Sequence, residues 1–158
     1  MAVRTRMAGV MAGVVAFTAA MASAPPTDFA GTWVFNPSKS TNVGMMAAAD
    51  LVSTVTQTAA QLVVRDDASL NGSSRTHETR YDLTGASVAN ESPMGEPTHT
   101  TTKWVGKTLV TKWESEGAVA GTTTVRTETR SLSPDGKTMY LESSRGDAAA
   151  MVIVFDRK

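Results

Sequence analysis

Short stretches rich in β-branched and aromatic residues follow one another along the chain from residue 31, separated by turn residues at intervals of roughly 8 to 12 residues. Apolar and polar positions alternate within most of them, as in strands that are buried on one face. This pattern is typical of an antiparallel sandwich or barrel. The predicted strands are Gly31–Phe35, Leu51–Gln57, Gln61–Arg65, Arg75–Leu83, His99–Trp104, Lys107–Glu114, Thr122–Leu132, Lys137–Glu142 and Ala149–Phe155. Only Met45–Ala49 is predicted to be helical.

The connections between these stretches carry residues that tight hairpins require. Asn71-Gly72 and Asp135-Gly136 supply positive φ angles, and Val105-Gly106 makes a short link. Parallel strands would need crossovers of a dozen or more residues, and the chain has no long helical segment to provide them. The sequence therefore predicts an all-β, antiparallel up-and-down barrel of about 8 to 10 strands with a short helical segment after the first strand.

Period-two alternation assigns faces to three of the predicted strands. In Thr122–Leu132 we predict that the uncharged set faces the interior and the charged set faces solvent. The predicted interior set is Val125, Thr127, Thr129 and Ser131, and the predicted solvent-facing set is Thr124, Arg126, Glu128 and Arg130. His77, Thr79, Tyr81 and Leu83 share one face of their strand. The final strand is apolar on both faces, which predicts a central or covered position.

The first residues have the order of a secretory signal peptide. Arg4 and Arg6 precede an uncharged run, Met7–Ala24, that ends in small residues. A membrane anchor is the alternative, but the run is short, diluted by alanine and lacks a stop-transfer charge cluster. We predict cleavage after Ala22, with cleavage after Ala24 as the alternative, so that residues 1–22 are the leader and 23–158 the barrel domain. The protein is then exported to the periplasm or the extracellular space, with no transmembrane segment in the mature chain.

Composition limits the classes of function. With 41% hydrophobic and 19% charged residues, the chain is globular and long enough for one domain. The 15 basic and 15 acidic residues form no basic stripe, which argues against nucleic-acid binding. The absence of cysteine excludes disulfides, thiolate metal sites and a cysteine nucleophile. We expect a monomer without a cofactor.

Two segments, Asn71-Gly72-Ser73 and Asn90-Glu91-Ser92, fit the pattern of N-glycosylation sites. Because the alanine-rich leader looks bacterial, we interpret both as plain turns.

Gly31-Thr32-Trp33, in the first predicted strand, resembles the G-x-W signature of the calycins, which include lipocalins, fatty-acid-binding proteins and avidins. The resemblance implies that Trp33 plugs the closed end of a barrel and that Gly31 lets the strand bend sharply there. It also implies that an arginine from the end of the barrel packs across the tryptophan. Arg157 is the first match to that arginine and Arg130 the second.

Four segments together resemble a family of secreted bacterial lipocalin-like proteins, whose members mostly have no assigned activity. They are "DFAGTWVFNPSKS", "KWVGKTLVTKW", "SLSPDGKTMYLES" and "VFDRK". This resemblance implies a fold rather than a function. Fatty-acid-binding proteins commonly end in an Arg-x-Tyr carboxylate clamp and carry a two-helix lid, whereas this chain has Ile153 and Phe155 at the clamp positions and no room for the lid. "TRYDLTG" resembles an avidin strand, but the tryptophans that surround biotin do not align with Trp104 and Trp113.

Signals for catalysis are few. His77 and His99 lie on different strands, outside any metal-ligand spacing, so we predict no metal site. Asp66-Asp67 lacks the pattern of a calcium loop and is interpreted as the exposed end of a strand. No serine lies in a G-x-S-x-G elbow. We therefore predict that the protein is not an enzyme.

The leading functional prediction is an exported, non-enzymatic barrel that binds a small hydrophobic or amphiphilic molecule in its lumen or mouth. Alternation and aromatic placement select six candidate lining residues: Tyr81, Trp104, Trp113, Met139, Leu109 and His77. The alternative is a structural or protein-interaction module of the cell envelope, whose barrel is filled by its own side chains. Threonine-rich strands favour the alternative because they offer a ligand little apolar surface.

Overall fold

A computed structural model describes residues 25–158 and shows ten strands. Their bounds are β1 Gly31–Phe35, β2 Asp50–Gln57, β3 Gln61–Leu70, β4 Ser73–Asp82, β5 Ser87–Glu91, β6 Pro97–Val105, β7 Thr108–Glu116, β8 Thr123–Leu132, β9 Thr138–Ser144 and β10 Met151–Arg157. Two 3₁₀ turns, Pro37–Lys39 and Gly44–Ala48, follow β1. None of the helical segments in this range is long and apolar enough to cross a membrane. The predicted leader and its cleavage sites lie outside the described residues.

All ten strands belong to one sheet, in the order β4-β3-β2-β1-β10-β9-β8-β7-β6-β5. Strands that are consecutive in sequence pair antiparallel along this order, and β1 joins the two halves of the sheet by pairing with β10, for example Phe35 with Phe155. The two ends of the sheet, β4 and β5, come together through the side chain of Asn90. The molecule is therefore a nearly closed up-and-down barrel, as predicted.

One strand of the structure, β5, is absent from the predicted set. β5 was missed because "SVANE" has a single β-branched residue and no apolar alternation, and its strand conformation depends on pairing with β6. Asn90 and Glu91 consequently belong to a strand, so the interpretation of Asn90-Glu91-Ser92 as a plain turn was wrong. Asn71-Gly72 does form the predicted turn, between β3 and β4, with positive φ at both residues.

One end of the barrel is closed by aromatic residues. Trp33 is fully buried, and its indole Nε1 donates to the carbonyl oxygen of Phe29 at 2.9 Å. The guanidinium of Arg157 lies 4.3 Å from the centre of the Trp33 ring and donates to the carbonyl of Ala30 at 3.0 Å. Gly31 has φ +141°, and a Cβ there would lie 2.9 Å from Nη1 of Arg157. Glycine thus provides both the backbone geometry and the space that this stack requires.

The outer face of β10 is covered, which explains its apolar character. The backbone N–H of Asn36 donates to the carbonyl of Val154, and the Ser40 hydroxyl accepts from the N–H of Val154, both within 2.9 Å. Thr41 forms an isolated bridge with Val152. These bonds continue the pairing of β1 along one edge of β10, β9 pairs with the other edge, and the outward side chain of Val154 is only 2% exposed. The prediction of a central or covered final strand is confirmed.

The face assignment of β8 was wrong. Glu128 and Arg130 point inward and are 5% and 4% exposed, whereas Val125, predicted to be interior, is 42% exposed. The reversal has a physical cause: the inward charges pair with one another and contact aromatic residues, which lowers the cost of burying them. The face assigned to His77, Thr79, Tyr81 and Leu83 is the inner one, as their alternating burial shows.

Candidate binding cavity

A cavity of about 250 Å³ lies inside the barrel. Strands from both halves of the sheet form its wall, and Met46 and Pro93 contribute from connecting segments. Both connections leave their strands at the end opposite Trp33, because β1 and β5 start at the closed end. Much of the lining is apolar, from Leu51, Ala68, Leu141, Met151, Ile153 and Phe155. The cavity thus occupies the half of the barrel that side chains do not fill.

A charged cluster from β8 forms one side of the cavity. Nη2 of Arg130 lies 3.4 Å from Oε1 of Glu128, and Nη2 of Arg126 lies 4.0 Å from Oε2 of the same carboxylate. The hydroxyl of Tyr81 donates to Oε1 of Glu128 at 3.3 Å. Burial raises the pKa of Tyr81, which keeps the hydroxyl protonated as a donor. Because an arginine remains charged in proteins, two positive groups share one carboxylate here.

Arg130 has hydrogen-bond donors to spare. Its other polar contact is Nη1 to the sulfur of Met139 at 3.6 Å, which is a weak acceptor. A guanidinium carries five N–H donors, and a buried donor without an acceptor is costly. Arg130 therefore offers the cavity a cationic group with strong capacity to bind an acceptor.

Two aromatic residues lie against this cluster. Tyr81 and Trp113 meet edge to face with ring centres 6.0 Å apart, and the guanidinium of Arg126 lies 4.5 Å from the centre of the Trp113 ring. Nε1 of Trp113 is buried and has no hydrogen-bond partner among the described residues. The face of Trp113 holds Arg126 in place, and its indole N–H adds one more unpaired donor near the cavity.

A second polar group lies on β3 and β4. Asp66 accepts a hydrogen bond from the hydroxyl of Ser53, and it is paired across the strands with His77. Burial raises the pKa of Asp66, and the Ser53 hydrogen bond opposes that effect. Nε2 of His77 is buried and, in the part of the chain that the structure describes, has no partner. This side of the cavity combines a largely buried carboxyl group with an imidazole nitrogen that has no hydrogen-bond partner among the described residues.

The six predicted lining residues fall into two groups. Tyr81, Trp113 and His77 line the cavity. Trp104, Leu109 and Met139 do not: Leu109 and Met139 are buried in the closed half, and Trp104 stacks on Phe29 with ring centres 6.0 Å apart. Alternation identified their inward or aromatic character but not their height along the barrel axis. Whether any of the six contacts a ligand stays a prediction.

Sequence reasoning missed the residues that dominate the cavity. Arg126, Glu128 and Arg130 were placed on the outside, and Asp66 was interpreted as the exposed end of a strand. A signal was present in the alternation R-x-E-x-R, which puts three charges of both signs on one face. Such a set can pair part of its charge internally when it turns inward. The clamp positions Ile153 and Phe155 also line the cavity, as apolar wall.

Comparisons with known proteins support the fold. No protein-family model and no curated protein matched the sequence. Among solved structures, the REP1-NXSQ fatty acid transporter superposes with a TM-score of 0.63 at 15% identity, covering 82% of this chain and 95% of the other. Human cRBP IV gives 0.63 at 16% identity, with 83% and 98% covered. Apo lipid binding protein 8 of Caenorhabditis elegans gives 0.64 at 8% identity, with 90% and 100% covered.

These likenesses extend over nearly the whole of each neighbour and show a calycin-type barrel. At such low identity they show the fold alone. The resemblance to a secreted bacterial lipocalin-like family remains a prediction.

Proposed function

We propose that the protein is an exported, non-enzymatic binding protein that holds one small, partly apolar molecule with an anionic group inside its barrel. The observation that carries this proposal is the composition of the cavity wall. Apolar side chains from β9 and β10 form one part, and the buried guanidinium of Arg130 forms another. An amphiphile fits such a wall with its apolar part on the first surface and its acceptor atoms on the second.

Electrostatics favours an anion over a neutral polar group. Arg126 and Arg130 contribute two positive charges beside the single carboxylate of Glu128, and no other acid lies within 4 Å of either guanidinium among the described residues. A buried charge without a partner is unfavourable, so a ligand carboxylate, sulfonate or phosphate would replace the missing partner. The buried indole N–H of Trp113, which has no partner among the described residues, supplies a further donor at the same place.

The size of the cavity restricts the ligand. Pockets for drug-sized molecules typically occupy about 300 to 1,000 Å³, and this one is about 250 Å³. We therefore expect a ligand with a short hydrocarbon or a single ring system. A long chain would have to extend out of the barrel past Met46 and Pro93.

The solved structures that share this fold give general support. One is a fatty acid transporter, one is a lipid binding protein, and another is a fatty acid binding protein of Schistosoma mansoni in complex with arachidonic acid. Proteins with this fold therefore bind lipids, which supports a binding role for this chain. This chain differs in placing its inward arginines on β8 and apolar residues at the β10 positions of the clamp.

Export is part of the proposal and rests on the basic, apolar and small-residue order of residues 1–24. Expression of the full chain in a bacterium should yield a periplasmic or secreted protein that begins at Ser23. Intact mass and N-terminal sequencing measure this directly. Retention of Met1 on protein in the cytoplasm would contradict it.

Isothermal titration calorimetry with octanoate and octan-1-ol tests the binding proposal. We expect the wild type to bind octanoate more tightly than the alcohol, and Arg130→Gln to weaken octanoate binding about tenfold or more, as loss of a buried charged partner does. The matched control is Arg65→Gln, which removes an exposed arginine paired with Asp67 on the outside of β3. No binding of either probe, or equal loss in both variants, would overturn the proposal.

A protein-interaction module is the second candidate, and one observation favours it. Met45 and Met94 are 86% and 82% exposed on the connections at the end opposite Trp33, and Val119 is exposed on the connection after β7. Apolar groups clustered at one end of a barrel suit contact with another protein. Native mass spectrometry of the protein from its own cells separates the two: a small added mass supports the binder, and a protein complex supports the module.

A further inference from the structure

The β4–β5 junction is closed in an unusual way. No backbone pairing between β4 and β5 occurs in the described structure, although every other neighbouring pair of strands forms a ladder. Instead Oδ1 of Asn90 accepts from the backbone N–H of Arg80 at 3.1 Å, and Nδ2 donates to the Arg80 carbonyl at 2.8 Å. Nδ2 also donates to the hydroxyl of Thr100 at 2.8 Å. One side-chain amide thus replaces the pair of bonds that a neighbouring strand would make.

The junction separates the cavity from an outer groove. His77, Arg80, Asn90 and Pro97 line that groove on the outside of the barrel, and His77 also lines the cavity. Nε2 of His77 is buried between the two and has no hydrogen-bond partner in residues 25–158. The His77 side chain therefore forms the barrel wall between the cavity and the groove. Its Nε2 atom makes no hydrogen bond within the described structure that would hold the ring in place.

From these observations we propose that the β4–β5 junction is a lateral gate to the cavity, latched by Asn90 and screened by His77. The proposal rests on the proposed function, because the molecule that passes is the ligand of the cavity. Opening the junction breaks the two Arg80 bonds, which lie at the surface where water can replace them. Opening β3 from β4 would break a ladder that runs from Gln61 and Asp82 to Leu70 and Ser73. The barrel should therefore open at the β4–β5 junction with a smaller loss of hydrogen-bond free energy than between any two strands that form a ladder.

The first test needs no ligand. Diethyl pyrocarbonate modifies neutral imidazoles, and the chain has two histidines: His77 behind the latch and the exposed His99 on β6. Peptide mass spectrometry gives the two modification rates separately. Because each latch bond is typically worth a factor of about five in an equilibrium, Asn90→Ala should raise the His77 rate about fivefold or more and leave the His99 rate unchanged. An unchanged His77 rate would overturn the proposal.

Two further variants separate the latch from general loss of stability. Asn90→Asp keeps the shape of the side chain but loses the donor to Arg80, and should also raise the His77 rate. Asn36→Ala removes another side-chain amide, which donates to Asp156 at 2.6 Å on the far side of the barrel. It should leave both rates unchanged. If Asn36→Ala raised the His77 rate as much as Asn90→Ala did, the effect would be global and the gate would be wrong.

The second test measures ligand exchange. NMR of octanoate labelled at its carboxyl carbon gives the rates of entry and exit. A gate speeds entry and exit by the same factor, so Asn90→Ala should raise both about fivefold and leave the Kd unchanged, whereas damaged packing raises the exit rate and the Kd. Unchanged rates would overturn the gate while leaving the proposed function intact. If octanoate did not bind to the wild type, the proposed function and the ligand gate would both fail, and the His77 rates alone would show whether the junction opens.

Discussion

Two arginines of the same barrel, one at the closed end and one beside the cavity, have different surroundings. Arg157, at the closed end, donates to the carbonyls of Ala30 and Gly136 at 3.0 Å and stacks on Trp33 at 4.3 Å. Arg130, beside the cavity, lies 5.7 Å from the centre of the Tyr81 ring, and its polar contacts among the described residues are 3.4 Å to Glu128 and 3.6 Å to the sulfur of Met139. The first guanidinium donates to two carbonyl oxygens of the fold, whereas the second has one long contact with a carboxylate that it shares with Arg126. The closed end therefore stabilises the barrel, while the cavity end keeps polar groups ready for another molecule.

The largest effect should come from removing the plug. Trp33→Ala deletes a fully buried ring and the surface on which Arg157 packs, and should lower the free energy of unfolding by about 3 to 5 kcal/mol. Trp113→Ala borders the cavity and should cost less, about 1 to 2 kcal/mol. Urea melts followed by far-UV circular dichroism measure both. Equal melts for Trp33→Ala and wild type would contradict the division of the barrel into two ends.

Glu128→Gln tests the cavity end. The variant keeps the shape of the side chain but leaves Arg126 and Arg130 without a carboxylate, so it should destabilise the protein by about 2 kcal/mol, less than complete loss of a buried partner. Octanoate should restore more stability to this variant than it adds to the wild type, because the ligand carboxylate replaces the missing charge. Thermal melts with and without octanoate show the difference. Equal stabilisation of both proteins would place the ligand away from the arginines.

Gly31→Ala tests the geometry of the closed end. The φ angle of +141° disfavours any side chain, and the new Cβ would meet Nη1 of Arg157 at 2.9 Å. Gly72→Ala is the matched control, since Gly72 also has a positive φ but has open space around it. Backbone strain alone costs about 1 kcal/mol at the control site, and we expect about 1 kcal/mol more at Gly31. Equal losses in urea melts would mean that Arg157 moves aside freely.

The difference between the closed end and the cavity also explains which parts of the structure could be predicted from the sequence. The closed end is specified by local signals: Gly31 and Trp33 stand two residues apart, and Asp135-Gly136 marks a hairpin directly in the chain. The charged face of β8 could not be oriented in this way. Its burial depends on Tyr81 and Trp113, which β4 and β7 bring to it from elsewhere in the chain. The height of each residue along the barrel, which excludes Leu109 and Met139 from the cavity, is likewise a property of the closed sheet.

The smallest effect concerns two adjacent aspartates of β3 with opposite surroundings. Burial raises the pKa of Asp66, whereas hydrogen bonds from Arg65 and Thr76 lower the pKa of the exposed Asp67. An unfolded aspartate has a pKa of about 3.9. The folded protein therefore binds the Asp66 proton more tightly than the unfolded chain does, and the stability that this group contributes is present below about pH 4 and is lost as pH rises through the raised pKa. For Asp67 the sign is reversed: its contribution is present above about pH 4 and is lost as pH falls through the lowered pKa.

Urea melts between pH 3 and 7 of Asp66→Asn and Asp67→Asn measure these two contributions against wild type. Relative to wild type, Asp66→Asn should become more stable as pH rises, because the variant has no buried charge to form. Asp67→Asn should become less stable, because it lacks the carboxylate that Arg65 and Thr76 bind. Opposite slopes from neighbouring residues would separate the cavity wall from the outer surface within a single strand. Parallel slopes would mean that Asp66 reaches solvent as freely as Asp67, and a polar cavity wall on β3 would then have to be abandoned.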